Sequence, residues 1–468
     1  MTKETYLEIL KEQIRCKKAL PLATRELEAH IEDQITDYMA QGMPRSDAEK
    51  ETIRQMGDPV EVGIEMDRIH RPKMAWGMIG WIVLLSLLGT CLLYALQIRF
   101  EDQNVRFFPE LGIPYILSYL LKLLVGFGIM IGICYIDYSR IGKHAKKIMA
   151  IYVLSLIVLN LGFGVTINGA SNWISLPGGV IITLSPMIFL TVPLYGAVLY
   201  QYRGWGYRGV AAGILWMIVP VLFVLRIPLL SQASLLSLSF LIVLSAAILK
   251  GWFRLKKKLT LAVLWGTAIL APLAGCAKLM ISGPEYQKDR LYSMLPSILQ
   301  RTASDSMPQD YQLLTLKELT ARSRILGANE ALGHASDPLP NSADYILAYV
   351  LAYYGILAAA LLIGAIIFLF LRFLKISIRQ KNQPGMLMGT GCTVFFLLQI
   401  TIDVMVNLGW IPGASVYCPF ISYGGTGMLV TYMMLGLLLS IYRYQNVLTE
   451  QKPCFLASIT ATGTMLHD

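Results

Sequence analysis

Apolar residues recur along the chain in runs of about twenty. As a helix, each run is long enough to cross the roughly 30 Å hydrocarbon core of a bilayer. Ten runs are legible, near residues 75–98, 112–136, 148–167, 178–200, 210–226, 234–250, 259–281, 344–371, 386–411 and 421–442. The pattern predicts an all-α, polytopic membrane protein of about ten transmembrane helices. The runs at 210–226 and 234–250 are short and lie beside Pro220 and Pro228, which predicts tilted or partly re-entrant segments there. Ahead of the runs, residues 1–74 are polar and charged. Leu27, Ile31, Ile35 and Met39 recur every fourth position, predicting a helix over 26–39. Ser46 with Glu49 has the spacing of a capping box, and Asp58-Pro59 has the residue types of an N-cap followed by the first helical position. Residues 1–74 therefore read as a small cytoplasmic helical domain, with no cleavable signal peptide ahead of it.

Composition and charge agree with the bilayer and orient the runs. Of 468 residues, 55% are hydrophobic and only 15% charged, too few charges to cover a soluble globule of this size. The net charge of +10 raises the question of nucleic acid, but its placement answers it. The basic residues cluster at alternate connections: Arg140, Lys143, Lys146 and Lys147; Arg203 and Arg208; Arg254, Lys256, Lys257 and Lys258; Arg372, Lys375, Arg379 and Lys381. The intervening segments 168–177 and 412–420 have no charge at all. The positive-inside bias thus predicts an even number of spans with both termini cytoplasmic, residues 446–468 forming a cytoplasmic tail. None of the seven cysteines forms a CxxC spacing, and small buried hydrophobes are the plain reading of them. No phosphate-cradling glycine loop, metal-ligand cluster or Ser-His-Asp pattern is present, and of the five histidines only His334 is expected outside.

The connection 282–343 stands apart because it is long. Connections beyond about fifteen residues are usually functional or disordered. This one carries Glu285, Asp289, Asp305, Asp310, Glu318, Glu330 and Asp337 among basic residues. Leu313, Leu316 and Leu319 predict an amphipathic helix lying on the membrane surface. A carboxylate facing a membrane cavity can serve as a general base, and neighbouring Arg or Lys can hold a pyrophosphate by charge-assisted hydrogen bonds. The plainer alternative is that water solvates an exposed charged loop. Trp173 suits either a sugar ring or an interfacial anchor, the commoner use. Asp344 suits an N-cap of the eighth span more than a catalytic role.

Several segments resemble one family. Pro419-Phe420-Ile421-Ser422-Tyr423-Gly424-Gly425-Thr426-Gly427 resembles the start of the last span of the SEDS family, the RodA/FtsW/SpoVE-type proteins. Asn407-Leu408-Gly409 and Pro412 precede it at the family's spacing. In order come Asn168-Gly169-Ala170 with Trp173-Ile174, Tyr286-Gln287-Lys288 with Arg290, Tyr311-Gln312, and Leu339-Pro340 with Asp344-Tyr345-Ile346. The resemblance covers residues 75–445 and leaves out the prefix, which weakly resembles the helical prefix of permease-like proteins. It implies a peptidoglycan glycosyltransferase that polymerises lipid II at the outer face of the bacterial cytoplasmic membrane in elongation, division or sporulation, beside a class B penicillin-binding transpeptidase.

The resemblance also implies roles. Asp305, six positions before Tyr311, takes the place of the family's proposed catalytic Asp, with Asp310 as a fallback. Arg290 is the first choice for substrate pyrophosphate, with Lys288, Arg322 or Arg324 behind it. Trp173, Tyr311, Gln312, Asp344, Ser422, Tyr423, Gly424 and Gly425 complete the implied substrate site. A divalent cation, Mg or Mn, could assist, although no ligand set is evident in the sequence.

The departures from the family pattern include several charged positions. Ser306, Met307 and Pro308 replace the Pro-x-Gly that follows the catalytic Asp. Ser171 and Asn172 stand where arginines are usual, and Thr183-Leu184-Ser185-Pro186 replaces a Gln-Pro-Ser-Glu…Lys run, losing its acid and its base. Leu229 takes the place of another acid, and Asp403 stands where an Asn is common. Charges inside a membrane protein are costly and usually functional, so these losses keep a second class of function open: a non-catalytic regulator or scaffold. A flippase for lipid-linked substrates is a third, which a continuous polar path through the spans would favour. Only Lys122, Lys278 and Asp403 notably interrupt the apolar runs.

Overall fold

The computed structural model describes all residues except 18–19, 102–114, 168–169, 177–179, 283–307, 329–343, 412–415, 423, 446 and 448–468. The described chain falls into two compact units. One comprises Met1–Ala75 with Gln380–Gln383 and the segment beginning at Leu439; the other comprises Trp76–Arg379 and Pro384–Leu438.

The first unit contains four helices, α1 (Lys3–Gln13), α2 (Leu20–Ala40), α3 (Arg45–Gln55) and α4 (Pro59–His70). Leu27, Ile31 and Ile35 of α2 are buried against Tyr6, Leu7, Leu10 and Ile53, whereas Met39, at the end of the same expected stripe, is exposed. Helix α1 carries its own signal in Tyr6, Leu7, Leu10 and Ile14, spaced for one helical face. Asp58 caps α4 as expected, its Oδ1 accepting from the Val60 N–H at 2.9 Å with Pro59 next in line. The capping box at Ser46 does not form. Pro44 is the N-cap residue of α3 and offers no side-chain bond. The Glu49 carboxylate instead accepts from the Lys3 N–H at 2.9 Å, capping a different helix across the unit.

The second unit is a helical membrane bundle. Among the described residues, nine helices are long and apolar enough to span: Trp76–Arg99, Ile116–Tyr135, Ala145–Phe163, Gly206–Arg226, Leu230–Leu249, Lys257–Ser282, Ile356–Ile378, Gln383–Asn407 and Gly425–Arg443. A shorter apolar stretch, Leu184–Tyr200, accompanies them. The protein is a multi-pass membrane protein, and the all-α expectation of about ten helices holds for its architecture. Small residues set the closest approaches. A Cβ at Gly89 would overlap the Phe420 carbonyl oxygen, one at Gly126 would sit 2.5 Å from Tyr432, and one at Gly436 would sit 2.6 Å from the Met130 carbonyl.

Three details depart from the sequence expectation. The runs at 148–167 and 178–200 do not stay helical where they approach each other. Gly164–Ile167 (β1), Ala170–Leu176 (β2) and Val180–Thr183 (β3) form an antiparallel sheet in the order β1-β2-β3. Val165-Thr166-Ile167 and Val180-Ile181-Ile182-Thr183 are rich in β-branched residues, and Asn168-Gly169 is a strong hairpin dipeptide. Hydropathy outvoted those signals. Secondly, the expected span 344–371 is two helices, Ile346–Tyr354 and Ile356–Ile378, parted at Gly355 with φ +92°. Finally, the proline-flanked runs are complete helices rather than re-entrant ones. Gly206–Arg226 keeps Pro220 within it, and its 21 residues reach about 31 Å.

Candidate functional site

The polar part of the bundle is built around the turn that leads into its last helix. Numbering on in chain order, let α5 be Trp76–Glu101, α6 Tyr115–Tyr135, α14 Pro308–Ala321, α15 Ile346–Tyr354, α16 Ile356–Ile378, α17 Gln383–Asn407 and α18 Gly425–Arg443. Gln399 of α17 donates from Nε2 to the Tyr417 carbonyl at 2.6 Å. Two bonds then close the turn: the Cys418 N–H donates to Ser422 Oγ at 2.8 Å, and the Ser422 N–H donates to the Cys418 carbonyl at 3.1 Å. Between them Phe420 sits at φ +71°, a left-handed conformation rarely adopted by a bulky residue. Its carbonyl rests on Gly89 of α5, where any side chain would push it away. Ser422 is buried. Gly424 precedes α18 and Gly425 opens it, and the aliphatic stem of Lys122 on α6 passes 3.4 Å from where a Gly425 Cβ would stand.

Below this turn α17 presents a polar stripe. Asn407 donates from Nδ2 to the Asp403 carbonyl at 2.9 Å and accepts at Oδ1 from the Ala348 N–H at 3.0 Å. That second bond satisfies a first-turn donor of α15. Asp344 therefore is not the side-chain cap expected of it. Tyr345 is the N-cap residue of α15 and no capping side chain of its own is present; a neighbouring helix supplies the cap. Asp344 stands just before α15, partly exposed, and burial pushes its carboxyl up to about 6. Burial and the nearby Asp403 carboxyl push the Cys418 thiol well above its ordinary range, and the two groups share a hydrogen bond.

The sheet forms a second polar cluster, joined to the first turn of α18 by the Thr183 N–H donating to Thr426 Oγ1 at 3.2 Å. Trp173 is half-buried in β2, paired with Val165 on one side and Thr183 on the other. Asn172 and Ser185 bind each other twice. Asn172 Nδ2 donates to Ser185 Oγ at 3.0 Å, and the Ser185 N–H donates to Asn172 Oδ1 at 2.9 Å. These positions belong to the two segments where the sequence departs from the family's charges. The departures meet in space as one neutral, reciprocal pair.

The long connection contributes α14, whose backbone carries Tyr311 and Gln312, with Asp310 in its first turn. A helix was expected on the membrane surface. Its buried residues Leu316 and Leu319 belong instead to packing within the protein, where α14 lies against α15. The Lys317 stem covers Gly409, whose φ is +70°. Arg322 is engaged with Glu318 at 2.6 Å, and the Arg324 carbonyl accepts from the Ile356 N–H at 3.0 Å. Asp305, Arg290, Lys288 and Tyr423 lie outside the described residues.

The structure thus brings together Trp173, Ser422, Gly424 and Gly425 through the bond between the sheet and α18, and sets Asp344 beside the same polar stripe. Sequence reasoning gave no site role to Gln399, Asn407 or Cys418, and did not pair Asn172 with Ser185. The available signal was Gln399, Asp403 and Asn407 at four-residue spacing inside an apolar run. That spacing is a polar stripe on one helix face. Among the described residues, no three His, Cys, Asp or Glu side chains converge to hold a metal ion, so no step through a divalent cation is derived.

A bundle of membrane-spanning helices with a buried polar turn ahead of its last helix is the mark of a polytopic membrane protein with an internal polar site. The chain belongs to the FtsW/RodA/SpoVE family of cell cycle proteins, whose family model matches residues 79–447. A protein of Thioalkalivibrio sulfidiphilus, named "probable peptidoglycan glycosyltransferase FtsW", is 32% identical over 303 residues, covering 62% of this chain and 71% of that one. The protein of the same name in Enterococcus hirae is 26% identical over 390 residues, covering 79% of this chain and 92% of its own. Among solved structures, a chain of a peptidoglycan synthase complex that coordinates polymerisation and crosslinking superposes with a TM-score of 0.62 at 19% identity, over 79% of this chain and 98% of that one. The Thermus thermophilus rod shape-determining protein RodA gives 0.54 at 17%, over 80% and 97%. At these identities the structural likeness establishes the fold.

Proposed function

We propose that this chain is a peptidoglycan glycosyltransferase that polymerises lipid II at the outer face of the cytoplasmic membrane, with its termini in the cytoplasm. The observation that carries the reading is the joining of the Trp173 sheet to the first turn of α18, into which the Ser422–Gly425 turn leads, in a chain whose relatives are named for that activity. The turn offers backbone groups and small residues that a bulky anionic lipid head can approach closely. Asp305 takes the proton from a sugar hydroxyl of one lipid-linked disaccharide as that oxygen attacks the anomeric carbon of another. The new C–O bond forms as the bond to the lipid pyrophosphate breaks, with inversion. Arg290 steadies the departing pyrophosphate by charge-assisted hydrogen bonds, with Lys288 in support. A class B penicillin-binding transpeptidase is the natural partner, since glycan strands need crosslinking.

One observation favours a second reading, a non-catalytic scaffold with the same fold. The Asn172–Ser185 pair is neutral and closed where the family's charges are usual. Incubating the purified protein with lipid II, with and without a matching transpeptidase, separates the two. Glycan polymer that disappears in Asp305→Ala supports the enzyme. Polymer that survives the change removes Asp305 from its role, and no polymer under either condition selects the scaffold.

A further inference from the structure

Between Tyr138 and Pro284 the chain carries thirteen Lys and Arg residues and not one Asp or Glu. Eleven of the thirteen fall in three stretches, 138–147, 201–208 and 250–258, and the structure ties these together. α7 (Tyr138–Lys143) leads into α8 (Ala145–Phe163). Gln201 donates from Nε2 to the Gly142 carbonyl at 2.9 Å, and Lys146 lies over the Tyr202 ring, 3.5 Å from its centroid. The Gly204 N–H donates to the Trp252 carbonyl at 2.8 Å, and Tyr200 packs edge-on against the buried Trp252 ring. The three stretches therefore form one surface. Asp137, the acid next to them in sequence, is buried and accepts from the Ser139 N–H as the cap of α7. α8 starts at this surface and reaches β1 after 19 residues, about 28 Å away. The sheet and the polar turn thus lie at the far end of the bundle.

The positive-inside bias needs only an excess of Lys and Arg, and acids contribute little to it. It does not ask that acids be excluded, nor that the connections be bound to one another. Cations gathered on one surface raise its potential and draw anions to it. We propose that this surface binds anionic phospholipid headgroups, which under the proposed orientation are those of the cytoplasmic leaflet. Two observations favour lipid over an acidic protein. The connections from α10 (Thr191–Tyr200) to α11 (Gly206–Arg226), and from α12 (Leu230–Leu249) to α13 (Lys257–Ser282), are only residues 201–205 and 250–256. Their cations stay within about a turn of the span ends, at headgroup depth. Trp205 and Tyr207 are 48% and 59% exposed among them, and such rings settle at the membrane interface. Arg208 and Arg254 offer paired donors to a phosphate, and Lys250, Lys256 and Lys258 add point charges. The surface stands apart from the proposed polymerisation, whose site is at the other end of the bundle.

The test counts lipids retained by the purified full-length chain, by native mass spectrometry from micelles doped with phosphatidylglycerol or phosphatidylcholine. The wild type is expected to prefer phosphatidylglycerol at least about tenfold, given roughly fivefold for each cation engaged. The combined variant Lys250→Gln, Arg254→Gln, Lys256→Gln and Lys258→Gln is expected to lose that preference. Lys257 is spared because its Nζ donates to the Leu249 carbonyl at 2.9 Å. Arg226→Gln with Lys278→Gln, toward the opposite ends of α11 and α13, is expected to keep it. Equal retention of the two lipids by the wild type, a preference that survives the fourfold variant, or one lost as fully in the control pair overturns the proposal. So does a wild type that ignores phosphatidylglycerol yet binds polyglutamate, which would assign the surface to an acidic protein. Should the fourfold variant fail to fold, salt on the wild type decides. A preference that fades between about 50 and about 500 mM NaCl supports the surface, and one indifferent to salt overturns it.

Discussion

Two polar clusters sit at the sheet-bearing end of the bundle, and they solve burial in opposite ways. The Asn172–Ser185 cluster is self-sufficient: donor and acceptor on each side answer the other at 2.9 and 3.0 Å. In the α17 cluster the buried Asp403 carboxyl keeps one oxygen, Oδ2, without a hydrogen-bond partner among the described residues. Neutral exchange can close a site completely because an amide and a hydroxyl each donate and accept. A carboxylate only accepts, so a buried acid depends on a neighbouring donor or on keeping its own proton. The first cluster is closed by its own two members, and the second is not.

The contrast can be broken first at the wall behind the α17 turn. Gly89→Ala places a methyl group against the Phe420 carbonyl, with backbone on both sides and little room to give. A loss of about 3 kcal/mol is expected, read as a lower melting temperature and a smaller folded yield. Next, Asn407→Leu removes one of the two acceptors of the Ala348 N–H, which keeps the Tyr345 carbonyl at 3.1 Å, and a loss of about 1.5 kcal/mol is expected. Asn172→Ala removes a pair whose partner Ser185 is also buried, and about 1 kcal/mol is expected. Asn172→Ala costing more than Asn407→Leu would reverse the view that the sheet cluster is the more expendable.

A pH profile tests the Asp344 side of the α17 cluster. The Asp344 carboxyl is raised from 3.8 to about 6 in the folded chain, so folding favours its protonated form. Its stabilising contribution is complete below about pH 4 and is lost as pH rises through about 6. A melting temperature that falls across that window in wild type and stays flat in Asp344→Asn is the expected result. A profile unchanged by the substitution would assign the slope to another group.

The two clusters also differ in how legible they were. The helical bundle follows from hydropathy because twenty apolar residues in sequence have few other uses, and the Ser422–Gly425 turn stood out because polar and glycine residues interrupt such a run. The sheet was written in Val165-Thr166-Ile167 and Asn168-Gly169, but a hydropathy window counts β-branched residues as membrane helix and passes over the dipeptide. Asp344 was read as a cap because an Asp before a helix usually is one. That Asn407 does the work from another helix depends on a contact across 59 residues, which no local spacing encodes. The Asn172–Ser185 pair has the same character. Each substitution reads as a loss by itself, and only their meeting shows a replacement.

Gly355 has a consequence for how the long connection can evolve. The break between α15 and α16 exposes main-chain groups that are taken up by the end of that connection. The Ile356 and Leu357 N–H groups donate to the carbonyls of Arg324 and Ile325, and the Gly327 N–H donates to the Tyr354 carbonyl. A Cβ at Gly355 would stand 2.8 Å from the Ile325 oxygen, so the glycine is the one side-chain identity this junction demands. Main-chain bonds are indifferent to most of what the chain carries. The residues at 324–326 can drift, and a partner-specific surface can be rewritten there, while the connection stays moored to the membrane bundle at the same height.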